Sequence, residues 1–318
     1  MLPSLFTLLS AVDLRLLPLL VYLCAMQILD GTLVAAHIKE GIKKEVQDWV
    51  AGGGKKPHLA AILVGNNPAS ESYVGSKVRT CEELGFDSTL LRLDENISEA
   101  ELVAKVQQLN NDSAVNGILV QLPLPDHISS DTIINTIDPT KDVDGFHPIS
   151  QGKMVLGQPT FLPATPYGIL LMLEYYNIDV AGKHCVVIGR SNIVGTPMSI
   201  LLSRNTKQGN ATVTLTHSRT KNLKEIALTA DVIVAAIGKP KFVTADMVKQ
   251  GAIIIDVGIN RIDDATKKSG SRLVGDVDFD NVAPLCSYIT PVPKGVGPMT
   301  ICGLMKNTLN AAKQAANK

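Results

Sequence analysis

Tyr73 and Lys77 form the first pair of residues in this sequence whose types and spacing could do chemistry. A separation of four residues puts both side chains on one face of a helix. A flat substrate could stack on the Tyr73 ring while the Lys77 amine reaches its reacting edge. A lysine taken out of water beside an apolar ring is pushed toward its neutral form, which can act as a general base. On spacing alone, a surface Tyr–Lys pair is the more frequent interpretation.

A polar amide and two carboxylates stand where apolar runs end. Gln121 follows the run to Val120 and precedes two prolines, so it is aimed at the carboxyl edge of the sheet, where ligands bind in α/β folds. Asp142 and Asp144 lie in a turn-like loop, and their carboxylates could accept hydrogen bonds from a heterocycle. A strand-terminating Gln121 and Asx-turn aspartates are the local alternatives. A metal site is disfavoured, because no His or Cys cluster accompanies the two aspartates.

The segment from Cys185 to Pro197 has the strand, turn and helix that a dinucleotide site requires. Its turn holds Gly189, then Ser191 where G-x-G-x-x-G has its second glycine, and Gly195 in a displaced third position. The pattern predicts that backbone amides at the start of the helix hold a pyrophosphate. Any tight turn between a strand and a helix is the alternative.

The strand after this helix ends in the residues His217, Ser218, Arg219 and Thr220. A fold specific for NAD places an acid there, on the ribose hydroxyls, and this segment has none. Arg190, Ser218 and Arg219 could instead bind the additional phosphate of NADP, with arginine supplying forked donors. A solvated loop charge is the alternative for Arg219.

The ten residues from Pro291 to Thr300 contain three prolines and two glycines. Proline fixes φ and removes a donor, whereas glycine lets another backbone approach closely. Such a segment is suited to form the wall of a flat pocket. A tight turn before the C-terminal helix is the alternative.

Short apolar strands alternate with helical segments from residue 58 onward, which predicts parallel α/β structure. The predicted strands span residues 58–64, 88–93, 117–121, 184–188, 211–216, 232–236 and 252–257. One predicted helix spans residues 68–84, and a second begins at the capping box of Ser98 and Glu101. A third runs from an N-cap at Thr165 to residue 176. A fourth ends at residue 203, and the last spans 297 to about 316. The order of the later elements predicts a doubly wound sheet with a ligand at its carboxyl edge.

The composition limits the class of protein. A chain of 318 residues is longer than a single hydrophobic core usually serves, which predicts two domains. Lys plus Arg and Asp plus Glu number 30 each, so bulk charge gives no sign of a nucleic-acid or membrane-surface partner, and small molecules are the expected partners. Five scattered cysteines without metal-ligand or redox spacing predict reduced, mostly buried thiols of a cytosolic protein.

Residues 1–25 are rich in leucine and unlike the rest of the chain. Asp13 and Arg15 interrupt the apolar run and two prolines would break a helix, so the segment is a poor membrane span. No Lys or Arg precedes the apolar stretch, which disfavours a signal peptide. From Met26 onward the sequence has the mixture of polar and apolar residues that is typical of a soluble protein. We therefore predict that residues 1–25 are a leader outside the native fold.

Five segments together resemble the bifunctional methylenetetrahydrofolate dehydrogenase/methenyltetrahydrofolate cyclohydrolase family, over roughly residues 26–316. In family order they are Tyr73-x-x-x-Lys77, Val120-Gln121-Leu122-Pro123-Leu124-Pro125, Lys141-Asp142-Val143-Asp144-Gly145, Gly189-Arg190-Ser191-x-Ile193-Val194-Gly195 and Pro291-Val292-Pro293-x-Gly295-Val296-Gly297-Pro298-Met299-Thr300. The resemblance implies two α/β lobes around a cleft. A folate-binding catalytic lobe of residues 26–147 is completed by residues 288–318, and a Rossmann-like, doubly wound NADP lobe spans residues 148–287.

The resemblance also implies an activity, the oxidation of 5,10-methylenetetrahydrofolate with NADP⁺ followed by hydrolysis of the product to 10-formyltetrahydrofolate. Lys77 is then the key residue of the hydrolysis, Gln121 orients it and tunes its protonation, and Tyr73 stacks on the folate. Asp144 holds the pterin-like ring, and these four residues form the catalytic set. The further folate contacts that it implies are Leu122, Pro123, Pro293, Gly297 and Pro298.

The same resemblance places the NADP contacts in the second lobe, where Arg190 and Ser218 meet the 2′-phosphate. The other implied contacts are Gly189, Ser191, Ile193, Val194, Gly195, His217, Arg219 and Ile259. A homodimer formed through this lobe is implied as well; the cytoplasmic location and the expected lack of a metal are predicted from the cysteines and the aspartates, as described above. One residue departs from the family, because Lys294 stands where glycine is usual. Its Cβ is expected to restrict the loop and its charge to change the affinity for folate.

Three other functions stay open on the residues themselves. A monofunctional dehydrogenase of the same family need not keep Lys77, whereas this chain has Lys77 and Gln121 together. Another two-lobed NADP oxidoreductase, similar to shikimate dehydrogenase, would leave the segment from Pro291 to Thr300 unexplained. A non-catalytic folate or nucleotide sensor would bind both ligands without turnover.

Overall fold

Two parallel β-sheets divide the chain into two lobes in the computed structural model, which describes residues 26–267 and 270–316. Residues 1–25, the predicted leader, lie outside the described residues. Within the described ranges, none of the helices combines the length and the apolar character that crossing a bilayer requires. The predicted fold class, α/β in two lobes, is confirmed.

The helices and strands alternate along most of the chain. In chain order they are β1 (Gln27–Ile28), α1 (Gly31–Ala51), β2 (His58–Val64), α2 (Pro68–Leu84), β3 (Asp87–Leu93), α3 (Glu99–Asn111), β4 (Gly117–Val120), α4 (Ser130–Thr136), α5 (Pro148–Val155), α6 (Ala164–Tyr175), β5 (His184–Ile188), α7 (Gly195–Ser203), β6 (Thr212–Thr216), α8 (Leu223–Leu228), β7 (Val232–Ala235), β8 (Ala252–Asp256), β9 (Asn260–Asp263), β10 (Ser271–Val274), α9 (Phe279–Val282), β11 (Cys286–Ile289) and α10 (Val296–Ala316). Two short 3₁₀ turns, Ala245–Met247 and Ala283–Leu285, complete the second lobe.

The first lobe is built on a three-stranded parallel sheet in the order β3-β2-β4. The central strand β2 is apolar from Leu59 to Val64 and buried over that whole length. Alternate residues of β2 enter two hydrophobic clusters, one on each face of the sheet. Residues of α1, α2 and α10 belong to the first cluster, and residues of α3 and α4 to the second. A strand covered on both faces needs this unbroken apolar run.

Local sequence signals fix the bounds of α2, the helix that carries the predicted aromatic–amine pair. The Asn67 side chain accepts hydrogen bonds from two backbone N–H groups of the first turn, and a proline follows at the first helical position. Gly85 ends the helix in the left-handed region, with φ +79°. The predicted span 68–84 is confirmed, as is the capping box of Ser98 and Glu101 at the start of α3.

The second lobe holds a six-stranded parallel sheet in the order β1-β11-β8-β7-β5-β6. After β5 the chain adds β6 on one side and then returns to add β7 on the other. The strand order therefore reverses between β5 and β7, and in such sheets ligands bind at this point, at the carboxyl ends of the strands. The predicted doubly wound sheet is confirmed. β9 and β10 form a separate antiparallel pair beyond β8.

The division between the lobes differs from the prediction at two places. β1 was assigned to the folate lobe, but it pairs with β11 and so belongs to the six-stranded sheet. The predicted boundary at residue 288 also cuts β11, which ends at Ile289. A strand of two residues has no periodicity that could identify it, and β1 forms because the edge of β11 offers it a partner.

Helices α6 and α10 join the two lobes. α6 places Ala164 in the core of the first lobe and Met172 in the core of the second. The two helices cross at glycines, where their backbones come close. A Cβ on Gly168 would lie 2.4 Å from the Met299 carbonyl oxygen, and one on Gly303 would lie 2.4 Å from that of Ala164.

The predicted N-cap of α6 is wrong. α6 begins at Ala164 with Pro163 in the cap position and without a side-chain cap hydrogen bond. The Thr165 hydroxyl lies 2.9 Å from the hydroxyl of Thr300 in α10. The Thr165 hydroxyl, which the local pattern assigned to the N-cap of α6, is therefore used in a contact between α6 and α10.

We expect Gly303→Ala to destabilise the protein, because the new methyl group meets a backbone carbonyl rather than a mobile side chain. Overpacking of this kind costs about 1–3 kcal/mol. The matched control is Gly41→Ala on α1, where an added Cβ has no atom within 4 Å. This change should be neutral or stabilising by up to about 1 kcal/mol. Thermal unfolding measures both variants, and an unfolding temperature of Gly303→Ala at or above that of the wild type would contradict the crossing described here.

Candidate functional site

Lys77 and Gln121 form the central contact of the site. Lys77 Nζ donates to Gln121 Oε1 at 3.0 Å, and Gln121 Nε2 donates to the Leu122 carbonyl oxygen at 2.7 Å. The second bond holds the amide with its oxygen toward the amine. Lys77 comes from α2 and Gln121 follows β4 at the carboxyl edge of the sheet. The structure thus brings together two residues that the sequence selected separately.

Burial controls the protonation of Lys77. The residue is only 5% exposed. This loss of water lowers the pKa of Lys77 from the ordinary value of 10.5, although the carboxylate of Asp144 acts in the opposite direction. Burial also raises the pKa of Asp144, against the effect of the lysine. Burial therefore shifts Lys77 toward its neutral form relative to a solvated lysine, and the neutral amine is the form that can take a proton from water and return it.

The loop that carries Asp144 is held by the residues around it. Asp142 is buried and accepts hydrogen bonds from two backbone N–H groups farther along the loop, at 3.2 and 2.9 Å. Burial raises the pKa of Asp142 to about 6. Lys141 Nζ donates to three carbonyl oxygens near the end of α3. Asp142 and Lys141 are therefore structural, whereas Asp144 interacts with Lys77.

A cavity of about 790 Å³ reaches Tyr73, one helical turn from Lys77. Its volume is in the range of small-molecule sites. Five residues predicted as contacts line it, namely Tyr73, Ile259, Pro293, Gly297 and Pro298. Five predicted folate or catalytic residues fall outside its lining, as far as the structure describes the chain, namely Lys77, Gln121, Leu122, Pro123 and Asp144, and so do the predicted NADP contacts other than Ile259. Tyr73 is half-buried, and burial raises its pKa, so a neutral aromatic ring faces the cavity.

The charges that line the cavity favour an anionic ligand. The basic lining residues are Lys39, Arg79, Arg261 and Lys294, and the acidic ones are Glu83 and Asp256. Glu83 is paired with Lys39 at 2.7 Å. Asp256 is buried, and burial raises its pKa to about 7. The remaining walls come mainly from apolar side chains and from the proline-rich segment.

The proline- and glycine-rich segment 291–298 packs closely on the start of α1. A Cβ on Gly31 would lie 1.7 Å from the Gly295 carbonyl oxygen, so position 31 requires glycine. The peptide bond before Pro293 is cis, as is the one before Pro123. Lys294 has φ +83°, in the region that favours glycine. A residue with a Cβ pays about 1–2 kcal/mol for this conformation, so the departure at Lys294 has a structural consequence.

The turn after β5 has the shape of a phosphate cradle. Gly189 has φ +115°, and a Cβ there would lie 2.1 Å from the Ala236 carbonyl oxygen. A Cβ on Gly195 would lie 2.0 Å from the Gly189 carbonyl oxygen. The turn can therefore close only with glycine at both positions, which leaves its backbone accessible to a dinucleotide.

Ser191 has a role that the sequence does not predict. Its hydroxyl accepts hydrogen bonds from the backbone N–H groups of Val194 at 3.2 Å and Gly195 at 3.4 Å, at the start of α7. These are two of the amides that the glycine pattern assigns to a pyrophosphate. The serine that replaces the second glycine thus satisfies two backbone amides where the chain enters α7, whose N-cap residue, Val194, has no side-chain cap hydrogen bond.

A basic and hydroxylated edge lies next to this turn. β5 and β6 are neighbours, so Arg190 and the loop after Thr216 meet at the same carboxyl edge. Arg190, Ser218 and Arg219 are exposed, and the Arg219 backbone N–H donates to His217 Nδ1 at 3.1 Å. A forked cation and a hydroxyl without a carboxylate suit a phosphate on the ribose. Together with the glycine cradle, these residues fit NADP.

Sequence analysis missed two buried carboxylates, Asp256 and Asp276, which are 3% and 0% exposed. Asp256 ends β8, and Asp276 follows β10 after one residue. The sequence did contain a signal for Asp256. It ends the apolar strand β8 and so lies at the carboxyl edge of its sheet, just as Gln121 lies at the carboxyl edge of the other sheet. No group of three His, Cys, Asp or Glu residues that could hold a metal occurs in residues 26–267 and 270–316.

Two family models match the chain. Residues 29–144 match the catalytic domain of tetrahydrofolate dehydrogenase/cyclohydrolase, and residues 163–316 match its NAD(P)-binding domain. The bifunctional protein FolD of Cytophaga hutchinsonii is 62% identical over 287 residues, which cover 90% of this chain and 99% of the relative. The bifunctional protein FolD of Phocaeicola vulgatus is 57% identical over 293 residues, or 92% and 100% of the two chains.

Solved structures are similar over the same length. The bifunctional enzyme FolD, a methylenetetrahydrofolate dehydrogenase/cyclohydrolase, of Campylobacter jejuni has a TM-score of 0.85 and 50% identity, and the match covers 91% of this chain and 99% of the other. The methylenetetrahydrofolate dehydrogenase-cyclohydrolase of Trypanosoma brucei, solved with NADP cofactor and inhibitor, has a TM-score of 0.86 and 35% identity, with 92% and 99% covered. The arrangement of both lobes is thus shared with these enzymes.

We expect Lys294→Gly to stabilise the protein, because glycine adopts the positive φ of this position without strain. The relief of up to about 1–2 kcal/mol exceeds the entropy that glycine adds to the unfolded chain, and the melting temperature should rise by about 1–3 °C. The matched control is Lys221→Gly, an exposed lysine outside the positive-φ residues. Its melting temperature should fall, and a fall of equal size for Lys294→Gly would contradict the strain.

Proposed function

The chain belongs to the tetrahydrofolate dehydrogenase/cyclohydrolase family, and we propose that it oxidises 5,10-methylenetetrahydrofolate with NADP⁺ and hydrolyses the resulting 5,10-methenyl compound to 10-formyltetrahydrofolate. The observation that carries the second activity is the buried Lys77 amine, held by Gln121 at 3.0 Å. A dehydrogenase alone has no use for such a group, since hydride transfer needs positioning rather than a base.

The hydrolysis requires two proton movements, and Lys77 is suited to both. Water attacks the bridging carbon of the methenyl cation and gives up a proton, which the neutral amine accepts. The bond from that carbon to a ring nitrogen then breaks, and the nitrogen gains a proton that the ammonium form of Lys77 can return. The other proton of the water, which remains on the new hydroxyl group, leaves as the carbonyl of the formyl group forms. The overall reaction therefore releases one proton. Gln121 keeps the amine oriented and offers no charge that would hold it as ammonium.

Tyr73 and Asp144 orient the folate in this proposal. The half-buried ring of Tyr73 faces the cavity and offers a stacking surface for a flat heterocycle. Asp144 is close enough to Lys77 to raise the pKa of its amine. It would accept hydrogen bonds from the ring and exocyclic nitrogens of the pterin. Leu122 and Pro123, which follow Gln121 in the chain, are further folate contacts in the proposal, and the segment 291–298 lines the cavity.

The second lobe positions the dinucleotide. NADP⁺, when bound, accepts the hydride from the bridging carbon of the folate. Gly189 and Gly195 let the backbone of the turn approach the pyrophosphate, and Arg190 and Ser218 would bind the 2′-phosphate, with Arg219 beside them. The other contacts in the proposal come from the turn and from the two neighbouring loops, namely Ser191, Ile193, Val194, His217 and Ile259.

The three alternative functions can now be weighed. Because the chain belongs to the tetrahydrofolate dehydrogenase/cyclohydrolase family, the shikimate dehydrogenase-like alternative is excluded. A monofunctional dehydrogenase is disfavoured, because Lys77 is buried and oriented by a dedicated amide at a desolvation cost that hydride transfer would not require. A sensor without turnover would likewise have no need for an amine with a lowered pKa.

We also propose a cytoplasmic homodimer formed through the second lobe. The edge strand β6 supports the dimer, because Val213 and Leu215 are only half-buried within one chain. The cysteines support a reducing compartment, since all four in the described residues are free and buried. Light scattering on purified protein gives the mass directly. About twice the 34.0 kDa of one chain is expected, and a single-chain mass at micromolar concentration would contradict the dimer.

Replacement of Lys77 tests the proposed base. Lys77→Met keeps the length of the side chain and removes the amine, so cyclohydrolase activity should fall by about 10²–10⁴-fold. Dehydrogenase activity should persist at a measurable fraction. The control is Lys105→Met, an exposed lysine on α3, which should keep both activities. Equal loss of both activities in a folded Lys77→Met protein that still binds folate would show that the amine is not specific to hydrolysis.

The pH profile of the hydrolysis tests the proposed protonation state. Cyclohydrolase activity should rise with pH as Lys77 loses its proton. The midpoint of this rising limb of the pH profile should lie below the ordinary lysine pKa of 10.5, because burial lowers the pKa of Lys77. Gln121→Glu places a carboxylate beside the amine, which favours the ammonium form and raises the pKa. The limb of this variant should therefore move to higher pH, with less activity at pH 7. An unchanged limb would exclude Lys77 as the titrating group.

A further inference from the structure

Asp276 has a buried carboxylate that the proposed chemistry does not use. The residue is 0% exposed and follows β10 at the carboxyl side of the six-stranded sheet. Its Oδ2 accepts hydrogen bonds from the backbone N–H groups of Ile237 at 2.7 Å and Gly238 at 2.8 Å. Its Oδ1 accepts one from Asn260 Nδ2 at 2.8 Å. A single carboxylate thus ties the loop that follows β7 to Asn260, the first residue of β9, where the loop that follows β8 ends.

Each of the two loops borders one half of the cleft. The loop after β7 supports the dinucleotide turn, because the position of a Cβ on Gly189 is only 2.1 Å from the Ala236 carbonyl oxygen. The loop after β8 carries Ile259, whose Cδ1 is 3.7 Å from the position of a Cβ on Gly297. Gly297 belongs to the wall of the folate cavity. Asp276 therefore connects the support of the nucleotide turn with the wall of the substrate cavity.

A second carboxylate fixes Asp276 itself. Asp256 Oδ1 accepts from the backbone N–H of Asp276 at 2.9 Å and from that of Gly258 at 3.0 Å, and its Oδ2 accepts from Val277 N–H at 3.0 Å. The packing leaves no room for adjustment. A Cβ on Gly258 would lie 2.2 Å from Asp276 Oδ1, and one on Gly275 would lie 1.7 Å from Asp256 Oδ2. Pairing of β7 with β8 holds the two loops together as far as Val257, whose N–H donates to the Ala235 carbonyl oxygen at 2.9 Å. Beyond that point, the side-chain hydrogen bonds of Asp276 hold them.

We propose that Asp276 is a positioning residue for hydride transfer, which holds the nicotinamide side of the cleft at a fixed distance from the folate side. The proposal rests on the dehydrogenase function proposed above. Hydride transfer needs reacting atoms about 3–3.5 Å apart, and a displacement of about 1 Å can cost about 10²-fold in rate. The carboxylate acts on backbone groups of both loops and touches neither ligand.

The bifunctional site supplies its own control. The hydrogen-bond partners of Asp276 belong to the second lobe, whereas Lys77, Gln121 and Asp144 belong to the first. Proton transfer at Lys77 does not depend on the position of a nicotinamide ring. Loss of Asp276 should therefore separate the two activities, whereas a general defect in folding would lower both.

The test compares three changes with a matched control. Asp276→Ala removes both acceptor oxygens, and Asp276→Asn keeps one oxygen for the β7 loop while its N–H₂ can donate to a reoriented Asn260. Asn260→Ala breaks only the bond between Asp276 and the start of β9. The control is Asp264→Ala, a carboxylate at the end of β9 that bonds within its own turn and to Arg272.

For Asp276→Ala, we expect the dehydrogenase kcat to fall by about 10²-fold, with cyclohydrolase activity within about twofold of the wild type. Asn260→Ala should lower the dehydrogenase kcat by about tenfold, and Asp276→Asn should recover most of the loss, since it restores the bonds. NADP⁺ affinity, measured by calorimetry without turnover, should change by less than about tenfold, because the phosphates keep their contacts. Amide hydrogen exchange should increase in peptides that cover residues 236–240 and 257–261. Asp264→Ala should match the wild type in every measurement.

Three results would overturn the proposal, namely parallel loss of both activities, an unchanged dehydrogenase kcat in Asp276→Ala, and failure of Asp276→Asn to recover activity. If Asp276→Ala does not fold, Asn260→Ala decides by the same split between the activities. Wild-type turnover is measured first. A wild type without dehydrogenase activity refutes the proposed function, whereas failure of the positioning role shows only in the variants.

Discussion

The burial of one lysine amine is the constraint on which the rest of the structure depends. Lys77 is 5% exposed, and a cation left there without full compensation would be costly, whereas a neutral amine needs only an acceptor. Gln121 supplies that acceptor because the Leu122 carbonyl holds its amide in place. The caps of α2, the buried strand β4 and the loop of Asp144 each fix one side of this contact. The first lobe is the scaffold that shields the Lys77 amine from water and fixes its orientation.

The second lobe meets a different requirement, which is distance rather than protonation. Its sheet presents the glycine turn and two loops at one carboxyl edge, and glycines allow these segments to approach within van der Waals contact. α6 and α10 cross at glycines and contribute to both cores, so the cleft has rigid sides. One cleft can then support two reactions, because the groups that move protons and the groups that place the dinucleotide stand on separate scaffolds.

Sequence reasoning predicted much of this, and its failures have identifiable causes. α2 and the capping box of α3 were predictable because their signals are local, and the same holds for the glycine turn after β5. β1 was not, since its two residues form a strand only when β11 provides a partner. Thr165 has the type of an N-cap, but a hydroxyl of α10 competes for it. The contact between Lys77 and Gln121 spans 44 residues, and the pairing of the two was implied only by the resemblance to the family. The position of Asp256 at the end of β8 is a local signal, but the hydrogen bonds of Asp256 and Asp276 join segments that are distant in sequence, which no local pattern encodes.

The measurement that tests the account most directly follows both reactions in one sample of purified protein. 5,10-Methylenetetrahydrofolate is supplied with NADP⁺ or NAD⁺, and reduced nicotinamide and 10-formyltetrahydrofolate are quantified together over time. The account predicts that both products form, that the reaction is faster with NADP⁺, and that little methenyl compound accumulates. Formation of reduced nicotinamide with accumulation of the methenyl compound would contradict it, because the buried Lys77 amine held by Gln121 would then serve no hydrolysis.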